Sequence, residues 1–197
     1  MASNTNIVGE LVYTSLGVPP EQYQDVYRST LEPILLARPG LILAMAGVVT
    51  ASTDQPSATV VSLVNWVSVD AHVAFIAGPA AKPFFEASMP LMSAAPTVEH
   101  YGINVLQTSA VESRYTRLLK ATDDSDRELL AKIHEKHVAT EGADMATISD
   151  CVEDASLKTL ILFSNSDKFD AAADVSNGGT SIKSFTIEWY ARGVKAE

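Results

Sequence analysis

Histidine has the widest chemical reach of any residue type in this chain, which contains four: His72, His100, His134 and His137. A neutral imidazole, with an unperturbed pKa of about 6.5, can take or give a proton near neutral pH. His72 lies one turn before Phe75 and Ile76, a spacing that predicts an inward-facing ring able to serve as a general base. The competing structural role is a buried ring tied to a backbone carbonyl. Glu99, His100 and Tyr101 are consecutive in a segment that reads as a strand. Glu99 and Tyr101 then share one face, and His100 shares the other with Val98 and Gly102. Sequence alone leaves open which set faces a cavity. Histidine near tyrosine or carboxylate suits enolisation or proton shuttling. Asn65 and Trp66 also fall on opposite faces of their strand.

Other candidates point away from metal and nucleotide chemistry. His134 and His137 are three residues apart, without the His-Glu-x-x-His spacing of zinc proteases, and no second Cys/His cluster completes a zinc site. Both lie on an apolar helix stripe and read as core histidines. Cys151 stands beside Asp150, with Glu153 and Asp154 close by, and nearby anions suppress a thiolate. The chain contains no Gly-x-Gly-x-x-Gly and no Gly-Lys-Ser/Thr. Asp123-Asp124-Ser125-Asp126 lacks the calcium-loop spacing and reads as a helix start. The expectation is therefore no cofactor and no metal. Phe84, Phe85, Met89 and Met92 share a helix face, which is either ordinary core or the adaptable wall of an apolar pocket.

These residues must be held by regular elements. Ile7 to Thr14 alternates as a strand, and Pro19-Pro20 opens a helix with Tyr23, Val26, Tyr27, Thr30, Leu31, Ile34 and Leu35 on one stripe. Pro33 should bend that helix and Pro39-Gly40 should end it. Strands are predicted at 41–51 and 58–67, with a helix capped by Ser68 running to Ala77 and another from about Ala81 to Ser93. A fourth strand spans 97–106. The second half repeats the order: strand 112–121, helix 125–140, strands 146–152 and 157–164, a short helix 166–173 and a strand 182–194. The fold class read from this is α+β, two tandem ferredoxin-like βαββαβ units, 1–106 and 107–197, with a seam near Gln107 to Val111 and their sheets packed together. The first unit is the expected bearer of a pocket and the second a scaffold.

Composition bounds the partners. Of 197 residues, 24 are acidic and 14 basic, a net charge of −10 that argues against nucleic acid. Residues 1–104 hold 8 acids and 3 bases, and residues 105–197 hold 16 and 11. A first half so poor in charge must hide surface in a core, a cavity or an interface. The longest apolar run, 41–51, is far short of the roughly 20 residues a bilayer requires. With one cysteine and no readable secretory signal, the expectation is a soluble, cytoplasmic protein.

One segment carries a resemblance. Asn65-Trp66-Val67-Ser68-Val69-Asp70-Ala71-His72-Val73-Ala74-Phe75, Pro83-Phe84-Phe85, Met89-Pro90-Leu91 and Val98-Glu99-His100-Tyr101 resemble the dimeric α/β-barrel superfamily. The likeness is to its antibiotic-biosynthesis-monooxygenase branch and related domains of fungal secondary metabolism. It covers residues 60–105 well and the second half only by pattern. The resemblance implies a fused version of the usual homodimer, one pseudo-dimeric barrel; a homodimer of that fused barrel is one assembly it allows. It also implies a ligand cavity between a sheet and its own helices, with His72 near it. The family is catalytically diverse, including haem chemistry and members without known activity. Its cofactor-free oxygenases use an Asn, a Trp and a Tyr, types that Asn65, Trp66 and Tyr13 supply without a residue-by-residue match. Its plant cyclases place a histidine where this chain has Lys82, so a cyclase would need another base.

The reading that follows is a cofactor-independent enzyme of secondary metabolism acting on an apolar polyketide-like or aromatic substrate by acid/base chemistry. It carries His72, Tyr101, His100 and Glu99 as catalytic candidates. Tyr13, Asn65, Trp66, Phe75, Phe84, Phe85 and Met89 are the substrate-binding candidates. Cofactor-free oxygenation of the same substrate class is the alternative, and a non-catalytic ligand-binding or stress-type barrel is the alternative of another class.

Overall fold

The computed structural model describes residues 7–53, 58–103, 108–169 and 181–195. The chain divides into two compact units: Met1–Val48 with Ser57–Asn104 and Tyr190–Glu197, and Val49–Pro56 with Val105–Trp189. Both are α+β.

The first unit begins with β1 (Val8–Ser15) and a helical segment made of α1 (Pro20–Val26), a π-helical turn (Tyr27–Leu31) and α2 (Glu32–Leu36). Pro20 opens α1, where its missing N–H costs nothing, and Pro33 falls in the first turn of α2. The expected bend at Pro33 takes the form of the π turn just before it, in which Glu32 N–H donates to Tyr27 O. β2 (Leu41–Ser52) and β3 (Thr59–Trp66) follow, then α3 (Val69–Ala77), α4 (Ala81–Ser88), a 3₁₀ turn at Met89–Leu91 and β4 (Thr97–Tyr101). Ser68 caps α3 as predicted, its hydroxyl accepting from Ala71 N–H at 3.2 Å. The second predicted helix ends five residues early, because Pro90 cannot donate and the chain tightens into the 3₁₀ turn. Within this unit the strand order is β4-β1-β3-β2, all antiparallel, the order of a ferredoxin-like sheet. Every residue of β3 is buried, and its sequence accordingly carries no charged side chain.

The helices lie over one face of this sheet. Leu31, Tyr27, Tyr23, Ala46, Val60 and Leu91 form one apolar cluster, and Leu35, Leu41, Val64, Trp66 and Phe75 another. Gly40, the last residue before β2, has φ +78°, and a Cβ there would lie 2.7 Å from the Ala71 Cβ and 3.1 Å from Val67 Cγ2. Gly40→Ala is therefore expected to cost about 1–3 kcal/mol. Urea unfolding measures this; an unchanged midpoint would show that α3 can retreat from the turn.

The second unit contains a short helix α5 (Thr108–Glu112), β5 (Tyr115–Ala121), α6 (Asp124–Glu141), a 3₁₀ turn (Ala143–Met145), β6 (Ala146–Asp150), β7 (Lys158–Ser164) and β8 (Lys183–Val194). Its strand order is β8-β5-β7-β6, the same as in the first unit. The last five residues of β8, from Tyr190, belong to the first unit. The strand predicted from Glu112 starts only at Tyr115, since α5 occupies the residues before it. The helix predicted over 166–173 is absent at 166–169, and 170–173 lie outside the described residues. Ser164 Oγ accepts from Ser166 N–H and Ser166 Oγ from Lys168 N–H, local turns that compete with a helix. Leu119, Leu130, Ile133, Leu160 and Leu162 make this unit's core. Among the described residues, no helix is long and apolar enough to cross a membrane.

Candidate functional site

A cavity of about 470 Å³ lies within the first unit between its sheet and its helices, within the size range of small-molecule sites. Strand alternation decides its lining. Glu10 pairs laterally with Val64 on β3 and with His100 on β4, so even-numbered residues of all three strands face it. Val12, Thr14, Ser62, Val64, Trp66 and Val98 line it from the sheet, and Phe75, Phe84 and Phe85 from the helices.

At the wall of this apolar space sits a chain of three titratable groups. His72 Nε2 lies 3.4 Å from Glu10 Oε1, and His72 Nδ1 lies 3.1 Å from His100 Nε2. The Trp66 indole N–H donates to Glu10 Oε2 at 3.0 Å. The Trp66 ring stacks on His72 at 5.6 Å between centroids and on Phe75 at 5.7 Å. Each member comes from a different element: Glu10 from β1, Trp66 from β3, His72 from the first turn of α3 and His100 from β4. A carboxylate only accepts, so the His72 tautomer that matches Glu10 carries its proton on Nε2. Its Nδ1 is then the acceptor, and His100 donates from Nε2. Burial lowers the His72 pKa, with the Glu10 charge opposing this and His100 adding to it. His72 is thus held neutral. Glu10, His72 and His100 also offer one donor atom each within 4.8 Å of one another, a set that could hold a metal ion.

The depressed His72 pKa has a consequence for stability. The unfolded chain binds a proton near pH 6.5, and the folded chain only at lower pH. The unfolded state therefore holds more protons within that window. This contribution to stability is complete above about pH 6.5 and is lost as pH falls toward the folded value. Thermal melts from pH 7.5 to 5 are expected to show a loss of stability that His72→Gln reduces; an identical slope in the variant would remove His72 as its source.

A second polar group lies four residues along β1 from Glu10, about 13 Å away at strand spacing. Tyr23 hydrogen-bonds Thr14, and burial pushes the Tyr23 phenol up to about 12. Tyr27, 2% exposed, also lines the cavity, and burial holds its phenol well above the usual range. Both remain protonated donors at neutral pH.

Of the residues singled out from sequence, His72, His100, Trp66, Phe75, Phe84 and Phe85 line the cavity. Glu99 and Tyr101 lie on the other face of β4, where Tyr101 Oη donates to Glu99 Oε2 at 2.8 Å. Tyr13 and Asn65 are likewise on the opposite faces of β1 and β3, and the Asn65 amide donates to Ile103 O at 2.9 Å. Met89 is 63% exposed and outside the cavity. Lys82 is exposed on α4 and pairs with Glu86. His137 is buried with Nε2 3.1 Å from Phe163 O, the carbonyl-bound role of a core histidine. Burial raises the Cys151 thiol pKa, and its hydrogen bond to Glu153 raises it further.

Glu10 went unrecognised in the sequence. The available signal was a lone carboxylate at an inward position of an apolar strand, between Val8 and Val12. It is 6% exposed, a burial that an acid adopts only with partners.

No protein-family model matches this sequence, and no curated protein does. Solved structures do match in shape. A candidate monooxygenase from Fusobacterium nucleatum superposes with a TM-score of 0.67 at 9% identity, over 96% of this chain and 95% of that one. A candidate monooxygenase from Lactobacillus acidophilus gives 0.65 at 13%, over 96% and 97%. An anthrone oxidase-like protein gives 0.66 at 9%, over 100% and 97%. At these identities the likeness establishes the fold alone: this chain has the α+β architecture of those structures.

Proposed function

We propose that the first unit is an enzyme site that binds a flat apolar substrate, aromatic or polyketide-like, and removes a proton from it with the His72–His100 pair. The observation that carries this reading is the Glu10–His72–His100 chain set into the wall of an otherwise apolar cavity. A proton gained by either imidazole would create a cation beside the Glu10 carboxylate, which stabilises it. Trp66 fixes that carboxylate, and its stacking fixes the His72 ring. The remaining walls exclude water and favour a substrate with few polar atoms. The Tyr23 and Tyr27 phenols suit a substrate oxygen away from the base. Deprotonation of a carbon acid next to a carbonyl gives an enolate, which can cyclise, lose a leaving group or isomerise.

A second reading is oxygenation of that enolate by dioxygen, without a cofactor. Its support is the fold shared with candidate monooxygenases and an anthrone oxidase-like protein. For anthrone the balance is one dioxygen consumed, one quinone and one water formed. The Asn, Trp and Tyr types expected for such a reaction do not meet here, since Asn65 and Tyr13 face away from the cavity.

The test uses anthrone and a set of linear aryl polyketide thioesters, with and without air. Product from the thioesters under both conditions supports acid/base chemistry. Dioxygen uptake matched to quinone supports the second reading. Tight binding of several probes with no turnover of any would favour a carrier and reject both enzymatic readings.

A further inference from the structure

We propose that His72 Nδ1 and His100 Nε2 form a binding site for one divalent first-row transition ion, of the zinc or cobalt type, with Glu10 as the carboxylate behind His72. The two nitrogens are 3.1 Å apart. Bonds of about 2.0–2.1 Å from both to one ion would subtend roughly 100° at the metal, between the octahedral and tetrahedral angles. Imidazole pairs select zinc, copper, nickel or iron over magnesium and calcium.

The surroundings of the pair match what a metal-ligating histidine requires. His72 points its other nitrogen at a carboxylate, the arrangement that fixes tautomer and ring orientation in such sites. That carboxylate is itself held by the Trp66 N–H. The ligands stand on β4 and the first turn of α3, elements that fix their separation, whereas a chance surface pair would sit on mobile chain. Two protein ligands leave coordination positions open toward the cavity, for water or for an oxygen of a bound molecule. A direct N–H···N hydrogen bond would also give 3.1 Å, so the ion and the proton are competitors for one pair of nitrogens. The site stands on this geometry and not on the acid/base reading, and it goes beyond it: an ion bound here takes the lone pairs that proton transfer needs and so inhibits that step.

The test is titration of the full chain with Co²⁺, followed by visible absorption, and with Zn²⁺, followed by calorimetry. The expected result is one ion per chain. His100→Asn and His72→Asn abolish it, and Glu10→Gln weakens it by about 10–100-fold. His134→Asn leaves it unchanged. Imidazole NMR of the unmodified protein keeps the test decisive if a variant fails to fold: Zn²⁺ should shift the His72 and His100 ring signals and leave those of His137 in place. Absence of saturable one-to-one binding overturns the proposal, as does binding that His100→Asn leaves intact or that perturbs other rings. Turnover in the presence of a chelator separates the two ideas. Activity that persists there and that Zn²⁺ in excess of the chelator leaves unchanged, with no ion bound by the chain, defeats the metal site and leaves the base standing. Ion binding without turnover of any probe does the reverse.

Discussion

His72→Asn is expected to lower turnover by about 10²–10⁴-fold while ligand binding changes little, because the variant keeps a polar side chain of similar reach but loses the basic nitrogen. A drop confined to kcat marks a proton-transfer group; a rise in KM at constant kcat would mark a binding residue instead and reject the base. The pH profile gives a second, independent reading. Burial lowers the His72 pKa, so its neutral, proton-accepting form persists below pH 6.5. The rate should be flat through neutrality and fall on the acid side at a pH below the ordinary histidine value. Glu10→Gln removes the carboxylate that supports the protonated pair, so its acid limb should move to still lower pH as turnover falls. An acid limb at the same pH in both proteins would detach Glu10 from the titration.

Trp66→Ala is expected to destabilise the protein by about 3–5 kcal/mol, the range for emptying a large buried aromatic site. Trp66 is 1% exposed, stacks against both His72 and Phe75, and carries the N–H that satisfies Glu10. Its loss therefore leaves a void and a buried carboxylate short of one donor. Trp66→Phe separates the two effects, since it keeps most of the ring and removes only the N–H. It should cost about 1.5–3 kcal/mol, the range for a hydrogen bond to a charged group. Denaturant unfolding followed by circular dichroism measures both without relying on indole fluorescence. Equal costs for the two variants would mean that ring volume contributes little.

What the sequence revealed and what it concealed divide along physical lines. Local signals carried well: Ser68 as a cap, Pro20 as a helix start, and the strands β1 and β3 all appear in the structure within a residue or two. His72 was found because helical spacing tied it to Phe75. The side of β4 that faces the cavity was not legible, because Val98, Glu99, His100 and Tyr101 offer one apolar and one polar residue to each face. Pairing resolved it: Glu10 stands opposite His100, and Leu11 opposite Glu99. Glu10 was missed for the same reason, since its partners are 56, 62 and 90 residues away in the chain and nothing local announces them. The short helix expected after β7 failed where serine hydroxyls captured the backbone N–H groups that a helix would have used.

The π turn at Tyr27–Leu31 also acts as a phase corrector. Tyr23, Tyr27, Leu31 and Leu35 recur every four residues and are 4%, 2%, 0% and 4% exposed. In a regular α-helix a four-residue step overshoots a full turn by about 40°, so three steps would drift by about 120° and rotate Leu35 off the stripe. One wide turn in the middle absorbs much of that drift, which is how a four-residue repeat stays aimed at a single line along the sheet. Forced into a regular α-helix with the same residues, the segment would carry Leu35 about 120° off that line. Leu35 would leave the cluster it shares with Trp66 and Phe75, and the histidine end of the cavity would lose an apolar wall while the Tyr23–Tyr27 end stayed whole.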